Sequence, residues 1–190
     1  MVPSWKVGSR AADYEYTRPS GSTARLSDLW AEGPVLLLWL RHCGCMFFHE
    51  SLAGLREAQP RLAERGVRLA CVVQARPDEL RSVCGAEIHC IADPKRTSHA
   101  ALGLTRMSLW KLFTSAGFHR RRADATRRGF KQTWRRTFAK ESDMLRNPGA
   151  ALVARGGRIL WLYRGDHAGD LPRADDLLAV ASEFATPVRL

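Results

Sequence analysis

The chain has 190 residues, of which 45% are apolar and 26% charged, and its formal net charge is +11. That length and apolar content suffice for one sizeable buried core and give no compositional ground for disorder, so a single domain over residues 1–190 is the expectation. The opening is polar and broken by Pro3 and Gly8, unlike a secretory leader, and the apolar run at 35–40 is far too short to span a bilayer, which points to a cytoplasmic protein.

Residues 1–30 mix Gly, Pro, Ser and Thr with short apolar pieces and end in Leu26-Ser27-Asp28-Leu29-Trp30, the pattern of a hairpin or lead-in closed by a short helical turn. Residues 35–40 are continuously apolar, as a central strand covered on both faces must be. From 46 to 65, Phe47, Phe48, Leu52, Leu55 and Leu62 recur at three- and four-residue spacing among charged residues, predicting a helix that bends near Pro60 and stops at Gly66. A strand over 67–73, a short helix over 77–83, a strand over 88–92 and a helical piece over 98–104 follow. This alternation implies parallel strands joined by right-handed crossovers. Beyond a long basic segment, residues 150–154 and 158–163 form a hairpin around Gly156-Gly157, and 171–184 make a final amphipathic helix.

The chemistry sits where the first core strand gives way to the helix, at Arg41-His42-Cys43-Gly44-Cys45. A helix start and neighbouring cations can hold a cysteine as thiolate, which makes it nucleophilic at neutral pH. Cys45 is therefore read as the nucleophile, Arg41 and His42 as its thiolate stabilisers and Cys43 as a resolver, against the plainer alternative of small buried side chains. A Cys43–Cys45 bond would close a small strained ring and behave as a labile oxidant. Cys71, inside an apolar strand, reads as core, and His49, one turn into the helix, as a surface residue. Cys84 and Cys90 read as structural, either of them able to resolve a sulfenic acid if a loop brought it close. Five cysteines are an odd number without tandem metal spacing, so in a reducing compartment they are expected free or redox-active rather than as a disulfide framework. A zinc site from Cys84, His89, Cys90 and His99 is disfavoured, because adjacent His89 and Cys90 in a strand point to opposite faces. No cofactor is expected.

Several ordered pieces carry a family resemblance: Leu26-Ser27-Asp28-Leu29, Arg41-His42-Cys43-Gly44-Cys45, Ile91-Ala92-Asp93-Pro94 with Ala101-Leu102-Gly103-Leu104, Pro148-Gly149-Ala150-Ala151-Leu152-Val153, and Gly165-Asp166 through Leu171-Pro172. Over most of its length the chain resembles the alkyl hydroperoxide reductase/thiol-specific antioxidant superfamily, in its peroxiredoxin-like branch. The resemblance implies a thioredoxin-like three-layer α/β/α sandwich with a mixed central sheet, a reactive thiol at Cys45 and antioxidant or thiol–disulfide chemistry. It also implies a hydroperoxide substrate and a thioredoxin- or glutathione-like thiol reductant. Family members often form homodimers, and nothing in the sequence identifies an interface. Peroxiredoxins proper carry Pro-x-x-x-Thr-x-x-Cys, and those Pro and Thr places hold Leu38 and His42 here; the second cysteine of the branch's Cys-x-x-Cys falls at Phe48. Donors to a peroxide would then come from Arg41 and His42. Pro148 stands where thioredoxin-like proteins place a cis-proline facing the thiol, an ordinary trans proline being the alternative, and Arg146 is the candidate anion or peroxide contact.

Residues 105–147 hold twelve Lys and Arg against Asp124, Glu141 and Asp143, so most of the net charge lies there. Phe130, Trp134 and Phe138 at four-residue spacing predict a basic helical insertion with one apolar stripe. Such a helix serves as a lid over the thiol pocket, or as a docking surface for an anionic membrane, nucleic acid or acidic protein; no defined nucleic-acid motif is present. The reading is a thiol-dependent antioxidant oxidoreductase reducing hydroperoxides through Cys45. The alternatives are a catalytically degenerate module that binds an anionic partner through its basic segment, and a disulfide reductase or isomerase using Cys43 and Cys45.

Overall fold

The structure, a computed structural model, describes residues 5–18, 20–85 and 87–184, so the first four residues of the expected lead-in lie outside the described residues. Strands β1 (Glu15–Thr17) and β2 (Thr23–Arg25) pair as the expected antiparallel hairpin, and helix α1 (Ser27–Trp30) is the short turn after it. Then come β3 (Val35–Leu40), α2 (Met46–Glu64), β4 (Arg68–Val73), α3 (Pro77–Arg81), β5 (His89–Ala92) and α4 (Thr97–Ala101). The insertion forms α5 (Leu109–Thr114), α6 (Ala116–Arg127) and α7 (Trp134–Thr137), and the chain closes with β6 (Gly149–Val153), β7 (Ile159–Arg164) and α8 (Ala174–Phe184).

Five strands form one mixed sheet in the order β5-β4-β3-β6-β7. β3 lies in the middle, parallel to β4 and antiparallel to β6, and every one of its residues is buried. Its period-2 alternation divides the core. Leu36, Leu38 and Leu40 pack with α2 and α8 on one face, while Val35, Leu37 and Trp39 pack with Trp5, Tyr16, Trp30 and Leu102 on the other. On that second face the Trp5 ring meets Trp39 edge-on at 5.1 Å and Trp30 at 6.5 Å. This is the three-layer thioredoxin-like sandwich that the resemblance implied.

The carboxyl end of β3 is held by a buried hub. The Asp93 carboxylate accepts from the Thr97 and Ser98 amides (2.9 and 3.1 Å) and the Ser98 hydroxyl (2.7 Å), and lies 2.8 Å from His99 Nδ1. Trp39 Nε1 donates to Ser98 Oγ at 3.0 Å, and His99 Nε2 lies 3.1 Å from the Leu40 carbonyl oxygen. Asp93 is thereby held below the ordinary carboxylate range by these donors, against burial, which acts the other way and is the largest single influence.

Two corrections concern the cysteines and the insertion. Cys84 and Cys90, expected as free thiols, are joined by a disulfide between the turn after α3 and the inward face of β5. His89 points the other way, to Tyr16 Oη at 2.9 Å, so the four residues of the disfavoured zinc site have separate partners. The basic segment is three short helices, and the stripe of Phe130, Trp134 and Phe138 does not form. α6 stops because Gly129 adopts φ +86°, where the Gly129 amide donates to Thr126 O and the Phe130 amide to Ala125 O. The same six-to-one and five-to-two pattern ends α2 at Gly66, with φ +68° and bonds from Val67 and Gly66 to Leu62 and Ala63. Phe130 leaves the helix and packs on the core; Trp134 and Phe138 stay exposed, stacked at 6.1 Å.

A clasp seats α6 against α2. Glu50, buried on α2, accepts from Arg121 Nη2 at 3.1 Å and from Arg128 Nη2. Removing the carboxylate leaves a half-buried Arg121 without its partner, a cost reduced because Arg128 can turn to solvent. The Glu50→Gln variant is expected to lose about 1–3 kcal/mol of stability, read as a lower urea midpoint with unchanged slope; a midpoint equal to the parent's would mean that the clasp contributes nothing.

Candidate active site

Past Leu40 the chain turns through His42 to Gly44, and the Cys45 amide donates to the His42 carbonyl at 3.0 Å. Cys45 is then the N-cap of α2, with extended backbone angles (φ −80°, ψ 130°), and its side chain makes no capping bond to the first-turn amides. The sulfur is instead partnered by a cation. Arg41, itself buried, donates through Nε to Cys45 Sγ at 3.3 Å, through Nη1 to the Arg146 carbonyl at 2.8 Å, and through Nη2 to the Met144 carbonyl. All three guanidinium nitrogens are used, so the head group cannot swing away without breaking several bonds.

The insertion closes on both sides of this thiol. The Met46 amide donates to Gln132 Oε1 at 3.2 Å, and the Thr133 amide to the Gly44 carbonyl at 2.8 Å. Gly44 has no alternative residue: an added Cβ would stand 2.5 Å from the Thr137 amide nitrogen and 2.7 Å from the Thr133 oxygen, both backbone. Between the insertion and α2 lies a cavity of about 230 Å³ with Cys45 and Arg41 in its wall. Met46, Met107 and Met144, three of the four methionines, line it with Phe47, Phe113 and Phe118, and its polar groups are His119, Arg122 and Gln132. Larger clefts of about 360 and 610 Å³ adjoin the β1–β2 hairpin, and neither is lined by a cysteine.

Of the expected site residues, Arg41 and Cys45 are brought together and the others are not. His42 is almost wholly buried and neither ring nitrogen has a hydrogen-bond partner among the described residues. Burial, with the Arg41 charge adding to it, pushes its pKa down to about 3, so it stands as a neutral ring rather than a cation for the thiolate. Cys43 is buried and its thiol is pushed up to about 12 by burial and then by the Glu79 carboxylate. It and Cys45 are free, not joined. Cys71 is likewise pushed up to about 12, by burial alone, as a core residue should be. The Arg146 guanidinium turns to the Leu104 carbonyl (2.8 Å) and Asp143 (3.4 Å), and only its backbone oxygen takes part, as acceptor for Arg41. Pro148 is buried immediately before β6 with a trans peptide bond, its carbonyl accepting from Gly165.

The sequence reading missed His49 and much of the cavity. His49 is half-buried rather than a surface residue, with Nε2 2.9 Å from the Cys43 carbonyl oxygen, and burial lowers its pKa. Met107, Phe118, His119 and Arg122 join the lining of the Cys45 cavity only through the fold of the insertion, and no local motif announces them. Trp134 does line the cavity as the lid reading required, but Phe130 and Phe138 do not.

The profile of the family described as AhpC/TSA antioxidant enzyme matches residues 54–167, 114 of the 190, starting after the Cys45 turn. A curated relative, prostamide/prostaglandin F synthase of Salmo salar, is 24% identical over 161 residues, 83% of this chain and 79% of the relative. Among solved structures, the peroxidoxin BcpB of Mycobacterium tuberculosis superposes with a TM-score of 0.66 at 17% identity, covering 95% of this chain and 99% of its own. A thiol:disulfide interchange protein DsbE from Chlorobium tepidum superposes at 0.60 with 18% identity, covering 96% and 99%. At these identities the superpositions establish the fold.

The neutral His42 has a measurable consequence. With a folded value near 3 and a free value of 6.5, the unfolded chain takes up the proton first as pH falls, so this part of the stability is complete above about pH 6.5 and is lost toward pH 3. The loss is up to about 1.4 kcal/mol per pH unit inside that window. Urea unfolding between pH 7 and 4 is expected to show a slope shallower by nearly one proton in His42→Gln than in the parent; His49, His89 and His167, also lowered, keep the remaining slope. Parallel curves would contradict a buried neutral ring.

Proposed function

We propose that this chain, which belongs to the AhpC/TSA antioxidant enzyme family, reduces hydroperoxides at Cys45 and is returned to the thiol by an external thiol reductant. Family membership makes it a thiol-dependent oxidoreductase; the hydroperoxide step is our reading of the site. It rests on one observation, the Arg41 Nε–Cys45 Sγ contact of 3.3 Å at the N-cap of a 19-residue helix, beside an apolar cavity. A guanidinium donating to sulfur and the positive end of a helix both favour the thiolate, which is the attacking species.

In the proposed cycle the Cys45 thiolate attacks one oxygen of ROOH. The S–O bond forms as the O–O bond breaks, and the alkoxide leaves and takes a proton, giving a sulfenic acid and ROH. One external thiol condenses with the sulfenic acid, releasing water, and a second displaces Cys45 from the mixed disulfide, so two thiols are oxidised to one disulfide. The apolar wall of methionines and phenylalanines accommodates an organic R group. The reductant is external because no other cysteine is prepared to resolve Cys45: Cys43 and Cys71 are pushed up to about 12, and Cys84 and Cys90 are bonded to each other. A disulfide-exchange enzyme built on Cys43 and Cys45 would need Cys43 to attack or leave as thiolate, and that environment opposes it.

Hydroperoxide-dependent oxidation of a small thiol, followed by peroxide consumption and intact mass, tests the reading. Cys45→Ser is expected to abolish turnover, Arg41→Lys to lower kcat/KM at least about tenfold through loss of the fork, and Cys43→Ser to keep at least half the parent rate. Full activity in Cys45→Ser would remove the site assignment, and an inactive but folded Cys43→Ser would make Cys43 the resolver in place of the external thiol.

A further inference from the structure

Among the described residues, seven large apolar side chains stand exposed, and five of them, Leu109, Trp110, Phe113, Trp134 and Phe138, belong to the insertion, at 59–76% exposure. Their spacing makes them two small faces. Leu109, Trp110 and Phe113 lie on one side of α5 at three- and four-residue intervals, and Trp134 stacks on Phe138 across one turn. Phe113 and Trp134 also line the Cys45 cavity, so the two faces meet at its mouth. A group of this size is not the scatter of single apolar residues that any surface carries.

The surrounding charge is mostly positive. Lys111, Arg120, Arg122, Lys131, Arg135 and Lys140 make no ion pair among the described residues, whereas Asp124 is taken by Arg127 and Asp143 by Arg106 and Arg146, which leaves Glu141 as the one acid of the segment outside an ion pair among the described residues. A second copy of the chain would bring one +11 molecule against another, which opposes pairing through this face. A nucleic acid would find phosphate contacts but poor platforms, since Leu109 has no ring and Trp134 and Phe138 spend a face on each other. Trp, Phe and Leu side by side with Lys and Arg suit the boundary between anionic headgroups and acyl chains.

We propose that Leu109, Trp110, Phe113, Trp134 and Phe138, with the cations around them, dock the protein on an anionic bilayer surface and turn the mouth of the Cys45 cavity toward the lipid. The docking rests on these exposed side chains and not on the hydroperoxide reading of Cys45. It is tested by co-sedimenting the full chain with phosphatidylcholine vesicles, with or without one quarter phosphatidylglycerol, at low and high salt. The expected result is at least about tenfold tighter partitioning to the anionic vesicles, weakened by salt. Leu109→Ser/Trp110→Ser, which alters exposed residues outside the cavity lining, is expected to lower it by about tenfold with an unchanged far-UV spectrum. Equal binding to both vesicles, or a double variant that binds as the parent does, would overturn the proposal. So would single-stranded oligonucleotide binding that anionic vesicles do not compete, or self-association in sedimentation velocity that the double variant removes.

Discussion

The guanidinium of Arg41 is the group on which the rest of the site depends. A charge buried at the end of the central strand is costly to desolvate, and it is tolerated here because every nitrogen finds an acceptor: a sulfur and two carbonyl oxygens. Those acceptors come from the start of α2 and from the segment that returns from the insertion into β6, more than a hundred positions away in sequence. One side chain therefore ties strand, helix and insertion at a single point. The sheet makes the meeting possible, since antiparallel pairing of β6 with β3 delivers residues 144–148 beside the strand end, while Asp93 and His99 hold that end from the other side.

Around this point two cysteines two residues apart acquire opposite characters. Cys45 faces a cation and a cavity, and Cys43 faces a carboxylate and the core. Sequence proximity gives them the same local surroundings in an unfolded chain; the divergence is a property of the turn through Gly44, which sends one side chain toward the insertion and the other toward α3. Burial first, and then the Glu79 carboxylate, push the Cys43 thiol up, while the Cys45 sulfur has the Arg41 guanidinium as its partner.

What could be read from the sequence is what local pattern encodes. The continuous apolar run at 35–40 is a buried mid-sheet strand, and the helix over 46–64 stops at Gly66 as its left-handed backbone demands. The same rule at Arg128-Gly129 ends α6, and the spacing of Phe130, Trp134 and Phe138 builds no continuous helix beyond it because the Phe130 amide closes the cap on Ala125 while Gln132 and Thr133 bond to Met46 and Gly44. The clasp of Glu50 with Arg121 and Arg128, the seat of Gly44 on Thr133 and Thr137, and the turn of Arg146 away from the thiol have no local mark, because they join residues that only the folded topology makes neighbours. The odd number of cysteines points to free or redox-active thiols, and the Cys84–Cys90 bond departs from that because six residues of separation around a turn bring the two together.

The insertion is consequently part of the site rather than an ornament on it. Gln132 takes the amide of the residue after Cys45, Thr133 bonds the residue before it, and Met144 and the Arg146 backbone hold the cation that faces the sulfur. Any displacement of the insertion must therefore move an acceptor or a donor within one residue of the thiol or bonded to its cation. The same segment carries the exposed aromatic and basic surface at the cavity mouth. Whatever settles on that surface acts on a structure whose inner side is bonded to Cys45's neighbours, so access to the thiol and the order of its surroundings are coupled through a common set of hydrogen bonds.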